Sequence, residues 1–202
     1  MSKLPLSWYQ KSDTLALSRA LLGKYLVVRD GNRRSSGIIV ETEGYVGKTD
    51  RACHAFAGRR TPKNETMYGI GGTAYVYICY GIHKLFNVIT YIEGEPHAVL
   101  IRAIEPVEGI NQMIERRGLE KPEYRITKGP GSLSKALGIT MDDNALLLNG
   151  SRLWIEDRGL TFVDTEIVSG PRVGVSGAGP EAASKPWRFW VKDNKFVSRY
   201  TP

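Results

Sequence analysis

From Ala74 to Ile78 aliphatic residues alternate with tyrosines. Ala74, Val76 and Ile78 fall on one side of an extended chain, Tyr75 and Tyr77 on the other. This two-residue period predicts a strand with an aliphatic face on a core and an aromatic face on something else. Tyr80-Gly81 ends the alternation, since glycine accepts backbone angles that other residues resist, and Leu85–Ile89 reads as the returning strand. The stretch is expected to be a β-hairpin with Tyr80 near its tip. Upstream, Leu15, Leu17, Leu21 and Leu22 give a partial helical stripe, started by Asp13 and ended by Gly23, as capping chemistry requires. One helix is predicted here, then a strand at Tyr25–Arg29 and a turn at Asp30-Gly31-Asn32.

A second strand starts at Ile38–Val40 and continues into Glu41, Glu43 and Tyr45, which share one face. At about 3.3 Å per residue the two carboxylates stand roughly 6.5 Å apart. Pro96–Pro106 is a strongly apolar strand that carries Arg102 in its middle. An arginine buried in a strand needs a carboxylate partner, and Glu41 and Glu43 are the candidates. Glu108–Arg117 is amphipathic and helical up to Gly118, with Gly109 as an interruption. Lys128–Gly138 reads as a turn feeding a short helix, and Leu153–Glu156 as a further strand. Residues 48–72 show no period and are expected to form a long loop; such loops inside compact domains are often functional. No linker, repeat or low-complexity segment divides the 202 residues, so one domain is expected over residues 1–202.

The formal net charge of +7 favours an anionic partner, nucleic acid before a membrane surface. Two cysteines are too few for a disulfide scaffold and point to a reducing compartment. No apolar run approaches the roughly 18 residues of a membrane span, and the start of the chain does not read as a signal peptide. Cys53, His54, Cys79 and His83 lack the spacing of a zinc site, so no metal is expected.

These features narrow the chemistry. Tyrosine rings offer flat faces to nucleobases, and an apolar wedge at a hairpin tip can part stacked base pairs; tyrosines are also ordinary strand formers. Arg59, Arg60 and Lys63 in the long loop can hold phosphates, as can Lys128 and Lys135 with the backbone amides of a helix start. Residues 171–202 carry six basic side chains, among them Arg172, Lys185, Arg188 and Arg199, against two acidic ones, interleaved with Trp187, Phe189, Trp190 and Phe196. That mixture reads as a basic, aromatic surface. Three functions fit: an enzyme acting on nucleic acid, a binding module with a degenerate pocket, and a glycoside hydrolase using Glu41 and Glu43 as its carboxylate pair. The basic surface argues against the last, because sugars are neutral.

Several motifs together resemble the alkyladenine (3-methyladenine) DNA glycosylase family. They are Val40–Tyr45, Cys53-His54, Tyr75–Gly81 with Asn87, Leu100–Pro106, Lys128–Gly131, Pro171–Val175 and Lys185–Phe189, in matching order along nearly the whole chain. The resemblance implies a single α+β domain: a mostly antiparallel, curved β-sheet with surrounding helices and a protruding β-hairpin that enters the DNA minor groove. It implies a monofunctional enzyme that flips 3-methyladenine, 7-methylguanine, hypoxanthine or ethenoadenine out of duplex DNA and hydrolyses the N-glycosidic bond. By position, Glu43 looks like the general base, with Arg102 and the backbone near Val173 holding the water. Tyr45 and Tyr77 look like the faces that stack the flipped base, His54 like a donor to its edge, Asn87 like the residue that excludes guanine, and Tyr80 like the wedge. Arg59, Arg60, Lys63, Lys128, Arg172, Lys185 and Arg188 are candidate contacts to the DNA backbone. No matched pocket position is a lysine, so no Schiff base, and no cofactor, is expected. A monomer in the cytoplasm, nucleoid-associated if bacterial, completes the expectation. Gly44 and Ile82 depart from the Ala and Met of mammalian members.

Overall fold

A computed structural model describes residues 2–198. Its strands are β1 (Ser2–Lys3), β2 (Tyr25–Asp30), β3 (Arg33–Val46), β4 (Ala74–Cys79), β5 (His83–Thr90), β6 (His97–Glu108), β7 (Leu153–Asp157), β8 (Ile167–Gly170) and β9 (Arg188–Val191). They form one nine-stranded sheet in the order β1-β7-β2-β3-β6-β5-β4, with β9 pairing to both β3 and β8. Every ladder among the described residues is antiparallel. Among the described residues five α-helices accompany it: α1 (Leu6–Tyr9), α2 (Thr14–Ala20), α3 (Ile110–Arg117), α4 (Pro130–Leu137) and α5 (Pro180–Ser184). The architecture is the expected α+β.

β3 is the axis of the molecule. Its first half pairs with β2 and its second half with β9 on the same edge, while β6 runs along the other edge. Three irregularities interrupt the β3–β6 ladder, one between Ser36 and Gly37 and two beside Glu41. Ile39 faces Ile104 and Glu41 faces Ala103, so Val40 is the extra residue on β3; Thr42 faces Ile101, so Arg102 is left out on β6. Bulges of this kind re-aim side chains and gather beside active sites.

The main core holds Val40, Val76, Phe86, Val88, Val99 and Ile101 from alternate strand positions, with Met113 of α3 and Leu133 and Leu137 of α4. The opposite set of alternate positions, Tyr75, Tyr77, Leu85, Asn87, Leu100 and Arg102, faces a cavity instead. A smaller apolar cluster of Cys53, Ala55, Met67, Tyr68 and Tyr75 lies under the loop that follows β3, with Tyr45 and Tyr77 at its rim.

Several elements differ from the sequence reading. The predicted helix is α2, capped by Asp13, which accepts from the Ala16 N–H at 2.9 Å, but it ends at Ala20, short of Gly23, and a separate short helix, α1, precedes it. The long loop is held by three single turns, Gly47–Thr49, Phe56–Gly58 and Glu65–Tyr68. Gly109 does not weaken α3 but caps it, at φ 72°, where a Cβ would lie 2.6 Å from the Arg34 carbonyl oxygen. The aliphatic face of β4 ends at Val76: Ile78 is half exposed because the hairpin has run past the core by that point.

Candidate active site

A row of paired residues crosses four strands. Tyr75 on β4 faces Asn87 on β5, Asn87 faces Leu100 on β6, and Leu100 faces Glu43 on β3. With neighbouring strands about 4.8 Å apart, this row carries the polar Asn87 to within roughly 10 Å of Glu43. The cavity above it has a volume of about 460 Å³. Its walls include Tyr45, His54, Tyr77, Asn87, Arg102 and Val173, and its mouth is flanked by Tyr80 and by Gly129–Ser132 at the start of α4.

Glu43 lies directly behind the wall formed by Tyr45, Arg102 and Val173, and it is fully buried. Its Oε1 accepts the Val173 backbone N–H at 2.7 Å and lies 3.2 Å from Nη1 of Arg102; its Oε2 accepts the Tyr45 hydroxyl at 2.8 Å. A carboxylate offers about four lone-pair positions, and these partners occupy three of them. Burial, and then the Glu43 charge, push the Tyr45 hydroxyl well above its ordinary value, so it stays a donor. Burial works against the Arg102 charge, but Glu43 and Glu41 outweigh it and raise its pKa.

The aromatic wall is cross-braced. Tyr75 and Tyr77 stack with centroids 5.4 Å apart, and the His54 ring meets Tyr77 edge-on at 4.6 Å. His54 Nδ1 shares a hydrogen bond with the Tyr75 hydroxyl at 2.9 Å. Desolvation by this aromatic wall, then the neighbouring Arg59, lower the His54 pKa, which keeps the imidazole neutral near pH 7. Asn87 is buried, and its Nδ2 donates to the Tyr75 carbonyl at 3.2 Å. The hairpin beyond is apolar at its tip: Tyr80 and Ile82 are 86% and 73% exposed. Tyr80 and Gly81 both have positive φ, 50° and 74°, as the tight turns of two-stranded ribbons require.

The basic residues separate into two groups. Arg59 and Lys63 are exposed on a groove that shares the Tyr75–Tyr80 wall with the cavity. Lys128 flanks the start of α4, its Nζ donating to the Lys195 carbonyl. Arg60 is exposed but paired with Glu65, and Lys185 is half-buried over Trp187. Arg172 and Arg188 are not surface residues at all. Arg172 is buried against Asp50, with contacts of 2.5 and 2.8 Å, between the rings of Tyr45 and Trp187. Arg188 is buried against Glu41 at 2.7 Å. Neither can contact a DNA backbone from these positions. Their basic character misled the sequence reading because charge alone does not show which side of a strand faces solvent. Arg199 lies outside the described residues.

Two roles are not assigned by the sequence. Tyr75 holds His54 in place. The Arg172–Asp50 pair ties the Val173 segment to β3, since Arg172 Nη1 also donates to the Gly44 carbonyl at 3.0 Å. No group of three or more His, Cys, Asp or Glu side chains able to hold a metal occurs among the described residues.

The profile of the methylpurine-DNA glycosylase family matches residues 7–195. The chain belongs to that family. Among its relatives is a Bacillus licheniformis protein named "Putative 3-methyladenine DNA glycosylase", 47% identical over 196 residues that make up 97% of this chain and 96% of that one. Proteins of the same name from Bacillus subtilis and Chlamydia felis are 45% and 42% identical, over 97% and 95% of this chain and 96% and 97% of their own lengths. As a member of the 3-methyladenine DNA glycosylases of this family, the chain is a hydrolase of the N-glycosidic bond with DNA as its substrate. No helix of the described residues is long and apolar enough to cross a membrane.

Proposed function

We propose that this glycosylase is monofunctional, extrudes a damaged purine from duplex DNA into the 460 Å³ cavity, and cleaves the glycosidic bond with a water activated by Glu43. The observation that carries the reading is the convergence of Arg102, Tyr45 and the Val173 N–H on one buried carboxylate beside an aromatic cavity. Extruding a nucleotide costs a few kcal/mol, least for a damaged or mispaired base. Tyr80 at the exposed tip fills the gap left in the stack. Tyr45 and Tyr77 receive the base, each stacking contact contributing about 1–3 kcal/mol, and a cationic N-alkylpurine gains a cation–π contribution in addition. His54 meets the base edge, and Asn87 crowds the exocyclic amine of guanine.

The water oxygen then attacks C1′, the electrons of the C1′–N bond leave with the purine, and a water proton passes to Glu43. The transition state resembles an oxocarbenium ion, as in sugar hydrolysis, so the negative carboxylate also stabilises the developing charge. Arg102 and the Val173 backbone keep carboxylate and water aligned. Substrates are 3-methyladenine, 7-methylguanine, hypoxanthine and ethenoadenine in double-stranded DNA, acted on by a monomer in the cytoplasm or nucleoid. A binding-only reading would require a pocket without a usable carboxylate. The glycoside-hydrolase pairing loses its second carboxylate, because Glu41 is engaged by Arg102, Arg188 and Ser198.

A single-turnover assay on duplexes carrying each lesion, developed with and without alkali, tests the proposal. Strand breaks that appear only after alkali are expected. Breaks without alkali would mean a lyase step through an amine, and intact strands from every duplex would remove catalysis.

A further inference from the structure

Behind the cavity wall, the second carboxylate of the Val40–Tyr45 motif sits in a cluster that the C-terminal segment closes. Glu41 is fully buried. Its Oε1 accepts Nε of Arg102 at 3.0 Å and Nε of Arg188 at 2.7 Å. Ser198 donates its backbone N–H to Oε2 at 2.9 Å and turns its hydroxyl to the same carboxylate at 2.7 Å. Arg188 Nη2 in turn donates to the Ser198 carbonyl at 2.6 Å. Residue 198 is thus tied, across 157 positions of sequence, to the strand that carries Glu43.

The arrangement grips Arg102 at both ends. Nε faces Glu41 and Nη1 faces Glu43, and the guanidinium between them is planar and rigid. Arg102 is also left out of the β3–β6 ladder, so strand pairing with β3 does not by itself fix where its side chain points. Buried ion pairs are often no more stabilising than apolar replacements, so a four-charge cluster at this place calls for a role other than stability.

We infer that Glu41, locked by Ser198 and Arg188, is the positioning residue that aims Arg102 at Glu43, and that the segment reaching Ser198 belongs to the catalytic apparatus. The inference rests on the reading that Glu43 and Arg102 act on the attacking water. Geometry of this kind matters because a displacement of about 1 Å at a reacting group can lower a rate roughly a hundredfold. Glu41 itself faces neither the cavity nor solvent, so its effect runs through Arg102.

The experiment compares Glu41→Gln, Ser198→Ala, Ser198→Thr and Glu43→Gln in the full chain, measuring three quantities: single-turnover excision at saturating enzyme, affinity for a lesion duplex, and the urea midpoint. Glu41→Gln is expected to slow excision roughly ten- to a hundredfold while lesion-duplex affinity stays within about threefold. Ser198→Ala is expected to slow it roughly tenfold, as for loss of one hydrogen bond to a charged group, and Ser198→Thr to restore the rate. Should Glu41→Gln fail to fold, the Ser198 pair carries the test alone. Wild-type rates in the Glu41 and Ser198 variants, with Glu43→Gln inactive, would overturn the positioning role and leave Glu43 as base. Rate and affinity falling together would also overturn it, marking the cluster as purely structural. Turnover retained by Glu43→Gln would instead sink the underlying reading.

Discussion

The backbone N–H of Val173 donates to Oε1 of Glu43 at 2.7 Å, joining positions 130 residues apart. With Arg102 and Tyr45 it fixes the carboxylate behind the cavity wall. Glu43→Gln keeps the shape but removes the proton acceptor. Excision is expected to fall by at least the 10²–10⁴-fold (about) typical of general-base loss, with lesion-duplex binding retained. Single-turnover kinetics beside a binding isotherm decide it; substantial turnover would exclude Glu43 as the base.

Arg172 is expected to matter for folding and loop placement, not for phosphate binding. Breaking a buried ion pair from one side costs about 3–5 kcal/mol, so Arg172→Gln should lower the unfolding free energy by that order in a urea titration. The slope of log affinity against log salt should stay the same, whereas loss of a phosphate contact would reduce it by about one. Asp50→Asn should destabilise in the same direction, since the Arg172 guanidinium would be left facing a neutral amide.

Tyr80→Ser at the 86% exposed tip should weaken duplex binding roughly ten- to a hundredfold, the equivalent of about 1–3 kcal/mol of stacking. Folding should be unaffected, because Tyr80 touches solvent and not the core. An unchanged affinity for lesion-containing duplex would refute the wedge.

Asn87→Ala removes a side chain held by the Tyr75 carbonyl at 3.2 Å and leaves space beside the base. Release of undamaged guanine from duplex DNA is expected to rise while excision of hypoxanthine changes little. Guanine release equal to that of the parent protein would remove Asn87 from discrimination.

Acid should destabilise the fold before the carboxylates titrate. Both His54 and His97 have pKa values lowered below the ordinary 6.5, chiefly by desolvation. His97 Nδ1 meets the buried Thr14 hydroxyl at 2.9 Å. Between the folded value and 6.5 the unfolded chain binds more protons, so stability rises with pH across that window and falls as pH drops below 6.5. Unfolding midpoints measured from pH 7.5 to 5 should decline, and His97→Asn should flatten the decline. A midpoint insensitive to pH over that range would contradict the shifts.

The sequence was most legible where a short period governed it. The Tyr75–Tyr77 alternation, the hairpin turn and the apolar Pro96–Pro106 strand each follow from local chemistry, and the structure holds them as β4, β5 and β6. Arg102's need for a carboxylate also followed from the physics of buried charge, and both candidates turned out to share it. The segments from residue 158 onward were less legible. The short strands β8 and β9 carry too few residues to show a period, and their arginines look alike whether they face solvent or a buried acid.

By itself, then, the sequence determined the hairpin, the apolar strands and the residue types available to the site, because these depend on neighbours a few positions away. Tertiary structure alone decided that Arg172 and Arg188 turn inward, that Val173 meets Glu43, and that Ser198 closes on Glu41. Those contacts join residues more than a hundred positions apart. Their outcome depends on where two bulges aim Val40 and Arg102, and a bulge is settled by the register of paired strands, which no single strand encodes.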